Sequence, residues 1–207
     1  MLLAFDTCLD KTYVGIGDNG TVIDTIIIEN KGNTYHSAFL ISSIKNILQK
    51  NNLTPKDITE VATDVGPGSF TGIRACMTVA KVMAQQLNIK TIGFSSLEII
   101  SNLKKMSQKT LVLLDARKNM AYVWDEEILG AIALEDVKEM VKADNYSIIC
   151  DDAMYEIFSP LTSDIQSYTN IEHNFAEIMI KLSVKKQTED WKKLNPLYIQ
   201  PPPVFGK

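Results

Sequence analysis

The sequence predicts an α/β protein built from two related lobes, and three observations carry this. The 207 residues are 45% apolar, enough for one large domain or two small lobes with cores of their own. Short runs with strand character alternate with longer runs of helical spacing. Each half also opens the same way, with a strand that ends on a carboxylate and enters a hairpin. That strand runs from Leu2 to Asp6-Thr7 in the first half and from Thr110 to Asp115 in the second, a single shared pattern that hints at an internal duplication.

The elements follow in order. Leu2 to Thr7 is a buried strand, and a turn at Leu9-Asp10-Lys11 leads to a second, Thr12 to Gly17. Asp18-Asn19-Gly20 marks a hairpin, because Asn-Gly accepts the positive φ angles of a type I′ turn. Thr21 to Glu29 completes an antiparallel meander, and Gly32-Asn33 breaks the chain. Tyr35 to Lys50 is an amphipathic helix, with Phe39, Leu40, Ile44, Ile47 and Leu48 at helical spacing. Thr54-Pro55 opens a short turn as cap and first helical residue. Glu60 to Val65 is a fourth strand, Gly66 to Gly72 a glycine-rich turn, Ile73 to Leu87 a helix and Thr91 to Phe94 a fifth strand. Ser95 and Glu98 have capping-box spacing before a helix reaching about Met106.

A boundary near Ser107-Gln108-Lys109 divides lobes 1–107 and 108–207. The second lobe holds strands at Thr110 to Asp115, Met120 to Asp125 and Ser147 to Cys150, with helices near Leu134 to Lys142 and Phe175 to Lys185. Pro201-Pro202-Pro203 is extended, polyproline-like chain.

Composition removes several function classes. Lys and Arg total 21 against 25 Asp and Glu, a net charge of −4, which gives no attraction for a phosphate backbone. A nucleic-acid role therefore leans on a partner. Cys8, Cys76 and Cys150 form no CxxC pair, so neither a zinc ribbon nor a redox dithiol is expected, only buried thiols in a reducing cytoplasm. His36 and His173 form no HExxH or HxxxH pair, and no metal site is expected. There is no GxSxG elbow. No basic leader with an apolar h-region and no run of membrane-spanning length is present, so the expected place is the cytoplasm.

Gly15-Ile16-Gly17-Asp18-Asn19-Gly20 matches GxGxxG, but its third glycine closes a hairpin instead of opening a helix, so it is not a dinucleotide fingerprint. Gly66-Pro67-Gly68-Ser69-Phe70-Thr71-Gly72-Ile73-Arg74 follows a strand and opens a helix. Glycines allow close backbone approach, and free amides at a helix start attract anions. The same residues equally suit a tight turn capped by its own hydroxyls, and both readings stand at this point. Asp6-Thr7, at a strand end beside this turn, either binds a metal or phosphate or caps its own turn. The helices Tyr35 to Lys50 and Ile73 to Leu87 carry small or apolar residues on more than one face, among them Ala38, Ile41, Ala75, Ala80 and Met83. That pattern points to an interface.

The run Asp64-Val-Gly-Pro-Gly-Ser-Phe-Thr-Gly-Ile-Arg74 resembles the signature of the TsaB family, also called YeaZ. The resemblance extends to Ala4-Phe5-Asp6-Thr7, His36-Ser37, Ala80-Lys81, Gly93-Phe94-Ser95-Ser96-Leu97-Glu98, Asp115-Ala116-Arg117 and Pro196-Leu197-Tyr198-Ile199. It implies an actin/Hsp70/sugar-kinase-like fold of two related lobes, the second one reduced. It implies a non-catalytic subunit for N6-threonylcarbamoyladenosine at position 37 of tRNA. Such a subunit pairs with and activates a TsaD-like catalytic subunit, is joined by a TsaE-like ATPase, and meets tRNA only through the complex. For the chain alone, monomer and homodimer both stay open. The partner-facing residues would be His36, Phe39, Ile41, Ser43, Arg74, Met77 and Lys81. Asp6, Thr7, Gly66, Gly68, Ser69 and Thr71 would be the remnant of a nucleotide cleft, with no obligatory cofactor. TsaD places two metal-binding histidines after its fifth strand, where this chain reads Ser95-Ser96-Leu97-Glu98.

Two departures bear on the second lobe and the first turn. The stretch from Glu126 to Gln187 is shorter than the family pattern, and Leu9-Asp10-Lys11 replaces a small, serine-rich turn. The competing readings are an enzyme of the same fold, either a nucleotide-dependent phosphotransferase or a glycoprotease-like metallohydrolase, and a homodimeric interaction protein unrelated to tRNA.

Overall fold

The computed structural model describes residues 1–29, 36–104 and 108–200. The chain forms two compact units. One is Met1–Ser96 with Asn174–Leu197, the other Leu97–His173 with the described residues from Tyr198. The division therefore falls earlier than the expected 107/108, and the first unit reclaims a late segment of chain. Ser107, at the expected boundary, lies outside the described residues, as does the Pro201-Pro202-Pro203 tail. Ser96 stays with the first unit because its amide donates to the Gly66 carbonyl at 2.9 Å.

The first unit contains β1 (Leu2–Asp6), β2 (Thr12–Asp18), β3 (Thr21–Ile28), β4 (Glu60–Asp64) and β5 (Lys90–Phe94), in the order β3-β2-β1-β4-β5. β2 runs antiparallel to β1 and β3, while β4 is parallel to β1 and to β5. The β2–β3 turn has φ 47° at Asn19 and 77° at Gly20, as the Asn-Gly pair predicts. Strand alternation then allocates the faces of the sheet. Val14 and Ile16 point into a core with Leu40, Ile44 and Ile47 of α1 (Leu40–Lys50) and Ile73 and Cys76 of α2 (Phe70–Leu87).

Tyr13 and Gly15 face the other side and meet α6 (Phe175–Ser183), where the Tyr13 and Phe175 rings lie 4.8 Å apart. A Cβ on Gly15 would stand 3.0 Å from Ala176 Cβ, and one on Gly17 2.5 Å from Ile180 Cγ2. The GxGxxG string thus has a packing cause: its first two glycines let α6 lie close on β2.

Helix starts and stops follow local chemistry. A 3-10 turn at His36–Phe39 feeds α1, and no side chain caps the helix at Phe39; the expected start at Tyr35 lies outside the described residues. α2 begins ahead of the expected Ile73 because Ser69 acts as its cap, accepting from the Gly72 amide at 3.4 Å. α3 (Ser96–Ser101) is shorter than expected. The Ser101 hydroxyl and the Asn102 amide both donate to the Glu98 carbonyl, at 2.8 and 2.9 Å, and such local bonds compete with helix continuation. Met106, its expected end, lies outside the described residues.

The second unit repeats the first. Its strands are β6 (Lys109–Arg117), β7 (Met120–Asp125), β8 (Glu127–Ala133), β9 (Tyr146–Cys150) and β10 (Ile165–Ser167), ordered β8-β7-β6-β9-β10. β6, β7 and β8 are antiparallel, and β9 and β10 continue parallel to β6. The core joins Leu111, Leu113, Val123 and Ile148 to Val137 of α4 (Leu134–Ala143) and to Met154 and Phe158 of α5 (Asp152–Phe158). The second lobe therefore keeps the full strand set, and its reduction shows in β10, only three residues long. Among the described residues no helix is long and apolar enough to cross a membrane.

Candidate functional site

β1 and β4 are parallel, with Phe5 paired to Thr63. The next residue on each strand is an aspartate at the carboxyl end, Asp6 and Asp64, the end of an α/β sheet where sites usually form. Both carboxyls are completely buried. Asp6 Oδ1 accepts the Cys8 amide at 2.6 Å and Asp64 Oδ1 accepts the Gly66 amide at 2.6 Å. The Ser96 hydroxyl donates to both oxygens of Asp64, at 2.9 and 2.7 Å. Asp6 Oδ2, by contrast, is buried without a hydrogen-bond partner.

Burial dominates the electrostatics. It pushes Asp64 up to about 6, against the Gly66 amide and Ser96 hydroxyl, which favour the carboxylate. Burial, reinforced by the charge of Asp64, pushes Asp6 well above the usual carboxylate range. Burial likewise raises the Cys8 thiol. At Cys76 burial also acts upward, but hydrogen bonds from Cys8, Thr7 and Thr63 outweigh it and bring the thiol below its ordinary value.

The glycine-rich turn closes over this end of β1. The Ser69 amide donates to the Cys8 carbonyl at 2.7 Å. A Cβ on Gly68 would collide with the Cys8 carbonyl, and one on Gly72 with the Thr7 carbonyl. Thr7 Oγ1 in turn donates to the Gly72 carbonyl at 2.9 Å. The two glycines are thus required by the chain's own backbone. Of the residues expected around a cleft, Asp6, Thr7, Gly66, Gly68 and Ser69 come together here, while Thr71 sits exposed on the first turn of α2.

The expected interface residues divide. Phe39 is 42% exposed and Ile41 70%; Arg74 is exposed and Lys81 half-buried. Ser43 and Met77 are instead buried in the first unit, at 3% and 6%, because they fall on the sheet-facing side of α1 and α2. They offer no surface to a partner. The backbone of His36 starts the turn before α1, and its side chain lies outside the described residues. Val82, unremarked in the sequence, is 52% exposed on α2.

Sequence reasoning passed over Asp64, Ser96, Cys8 and Cys76 as site residues. The available signal was the shared pattern of an aspartate ending a strand, present at both Asp6 and Asp64. The duplication repeats it. Asp115 Oδ1 accepts the Arg117 amide at 2.7 Å, and Asp151 Oδ2 accepts the Asp115 amide at 2.6 Å. Asp115 lies two residues before the end of β6 and Asp151 directly after β9, where the first pair ends β1 and β4.

Two sheets of identical strand order, each with an aspartate turn after its first strand, define an actin-like α/β protein of the actin/Hsp70/sugar-kinase class. The family model for TsaD, tRNA N6-adenosine threonylcarbamoyltransferase, matches residues 25–190. The chain belongs to this family, in its TsaB (YeaZ) branch. The tRNA threonylcarbamoyladenosine biosynthesis protein TsaB of Buchnera aphidicola (subspecies Schizaphis graminum) is 29% identical over 129 residues, covering 61% of this chain and 60% of that protein. TsaB of Bacillus subtilis is 30% identical over 122 residues, covering 58% of this chain and 52% of that protein. The chain thus matches little more than half the length of these curated relatives. The fold is shared with YeaZ from Pseudomonas aeruginosa, with a TM-score of 0.73 at 19% identity over 95% of this chain and 98% of that one. Ethanolamine utilization protein EutJ from Carboxydothermus hydrogenoformans has a TM-score of 0.50 at 10% identity over 86% of this chain and 88% of that one.

Proposed function

We propose that the chain is a non-catalytic subunit in the formation of tRNA N6-threonylcarbamoyladenosine in the cytoplasm. In this reading it pairs with and activates a TsaD-like catalytic subunit, a TsaE-like ATPase joins the pair, and tRNA is met only through the complex. The observation that carries the reading is the closure of the glycine turn on the chain's own backbone. The Ser69 amide, which a phosphate would need, is held by the Cys8 carbonyl. The segment after β5 supports the same reading, since it reads Ser95-Ser96-Leu97-Glu98 with no histidine and the Ser96 hydroxyl is committed to Asp64.

The partner-facing surface in this reading is the outer side of the 3-10 turn at His36–Phe39, α1 and α2. Phe39, Ile41 and Val82 are large apolar side chains exposed there, and Arg74 and Lys81 add charge at the rim. Aromatic and aliphatic anchors with a polar edge are the usual composition of a binding patch. The names of the sequence relatives supply the pathway.

The test is to mix the chain with the TsaD-like subunit of the same organism, measure mass by light scattering on a sizing column, and assay threonylcarbamoyl transfer to tRNA. A heterodimer with transfer activity absent from either protein alone supports the reading. Separate elution with no gain in activity rejects it.

A further inference from the structure

Cys8 and Cys76 were scattered thiols in the sequence, with no spacing that suggests a metal. The fold brings them together with Asp6. One ligand-type atom from each of Asp6, Cys8 and Cys76 lies within 4.8 Å of the other two, and all three residues are buried. They come from three pieces of structure: the end of β1, the turn that follows it, and the second turn of α2. We propose that Asp6, Cys8 and Cys76 form an internal binding site for a thiophilic divalent cation, zinc foremost, beneath the glycine turn.

A second observation points the same way. Asp6 Oδ2 is fully buried and receives no hydrogen bond from a neighbouring donor, with the Asp64 carboxyl and the Cys8 thiol lying close to the same group. A buried carboxylate oxygen without a partner is unfavourable unless a proton or a cation answers it. The donor set selects the cation. Two sulfurs with one carboxylate oxygen suit zinc, whereas magnesium and calcium take oxygen ligands. Thr7 Oγ1, 3.2 Å from Cys76 Sγ, is a further oxygen donor beside the set.

Such a cation would tie the strand end to the start of α2. Because it binds only the folded chain, it raises stability by mass action. The site is independent of the pairing proposed above, since no partner residue enters it.

The experiment uses the full chain, stripped of metal under reducing conditions and titrated with cobalt(II), then with zinc in competition. The expected result is one equivalent of cobalt per chain, with the near-ultraviolet charge-transfer band of thiolate–cobalt bonds and visible bands of tetrahedral geometry. Zinc abolishes both. Cys8→Ala and Cys76→Ala remove the band, and Cys150→Ser keeps it. Asp6→Asn weakens zinc binding by more than the roughly 10–100-fold that loss of an outer hydrogen-bond partner costs. Circular dichroism of each variant establishes that it is folded. Should Cys8→Ala fail to fold, the wild-type chain still decides: its thermal midpoint rises with added zinc if the site exists. A native chain without the cobalt band and with a midpoint indifferent to zinc overturns the proposal and leaves Asp6 answered by a proton.

Discussion

The Ser96 hydroxyl holds both oxygens of the Asp64 carboxylate, 32 residues earlier in sequence, at 2.9 and 2.7 Å. Asp64 ends β4 and Ser96 begins α3, so this contact fastens the segment after β5 to the centre of the first sheet. Ser96→Ala leaves a buried carboxylate short of a donor. Hydrogen bonds to charged groups contribute about 1.5–3 kcal/mol. The thermal midpoint by circular dichroism should therefore fall by roughly 4–10 °C for a chain of this size. An unchanged midpoint would show that water takes over the role of the hydroxyl.

Gly72 and Gly15 make contrasting substitutions. A Cβ at Gly72 meets a backbone carbonyl, that of Thr7, which cannot swing away. At Gly15 the nearest atoms are side-chain carbons, Ala176 Cβ at 3.0 Å and Ile180 Cδ1 at 3.1 Å. Gly72→Ala should prevent folding or lower stability by more than about 3 kcal/mol. Gly15→Ala should fold, with a loss of about 1–3 kcal/mol typical of overpacking. Urea unfolding of both variants checks the order; equal losses would contradict it.

Ile41 is 70% exposed and contributes little to the core. Ile41→Lys should leave stability within about 0.5 kcal/mol of the parent. If the surface around α1 receives the catalytic subunit, the same change weakens pairing by about tenfold or more, as central apolar anchors do. Leu161→Lys, at a 43% exposed site in the second unit, serves as control. Titration calorimetry with the TsaD-like subunit reads both, and equal affinity for Ile41→Lys and the parent would move the interface elsewhere.

Asp24 on β3 receives the Lys50 ammonium at 3.0 Å and the Asn51 amide at 2.8 Å, which anchors the end of α1. The Lys50 hydrogen bond, then that of Asn51, lowers its pKa from the ordinary 3.8. A depressed carboxylate contributes stability above its unfolded pKa and loses it as pH falls through the folded value. Asp24→Asn should thus be less stable than the parent at pH 7, by no more than about 1 kcal/mol for so exposed a pair. The difference should fade in acid, as pH drops from 3.8 through the lowered folded value. Urea midpoints at neutral and at acid pH test this, and a gap that persists in acid would assign it to shape instead of charge.

The first sheet was legible in the sequence because its strands are short buried runs separated by strong turn chemistry, as at Asn19-Gly20. The duplication was legible from the aspartates of β1 and β6 alone. β8, α5 and β10 were not. β8 reads Glu-Ile-Leu-Gly-Ala-Ile-Ala with a mixed burial pattern, so neither face alternates. α5 depends on Asp151 capping Met154 at 2.9 Å, and β10 is too short to carry a period. At the site, Asp6, Thr7 and the glycine turn were readable as local motifs. Cys76 was not, because only the packing of α2 against β1 brings it to Cys8. Ser43 and Met77, which the resemblance implies on the partner-facing side, are buried because helical spacing puts them on the sheet-facing stripes of α1 and α2.

The return of Asn174–Leu197 to the first unit sets an order for biosynthesis. The ribosome delivers β1 to β5 first, yet their second face stays bare until α6 emerges. Thr91 then pairs with Glu189, and the Leu197 amide bonds the Val65 carbonyl. All the strands of the second unit are translated before this closure. The unit whose strands are made before those of the other is therefore completed after them, and a nascent chain stalled before α6 would display Tyr13 and Gly15 to the chaperones that attend unfinished sheets.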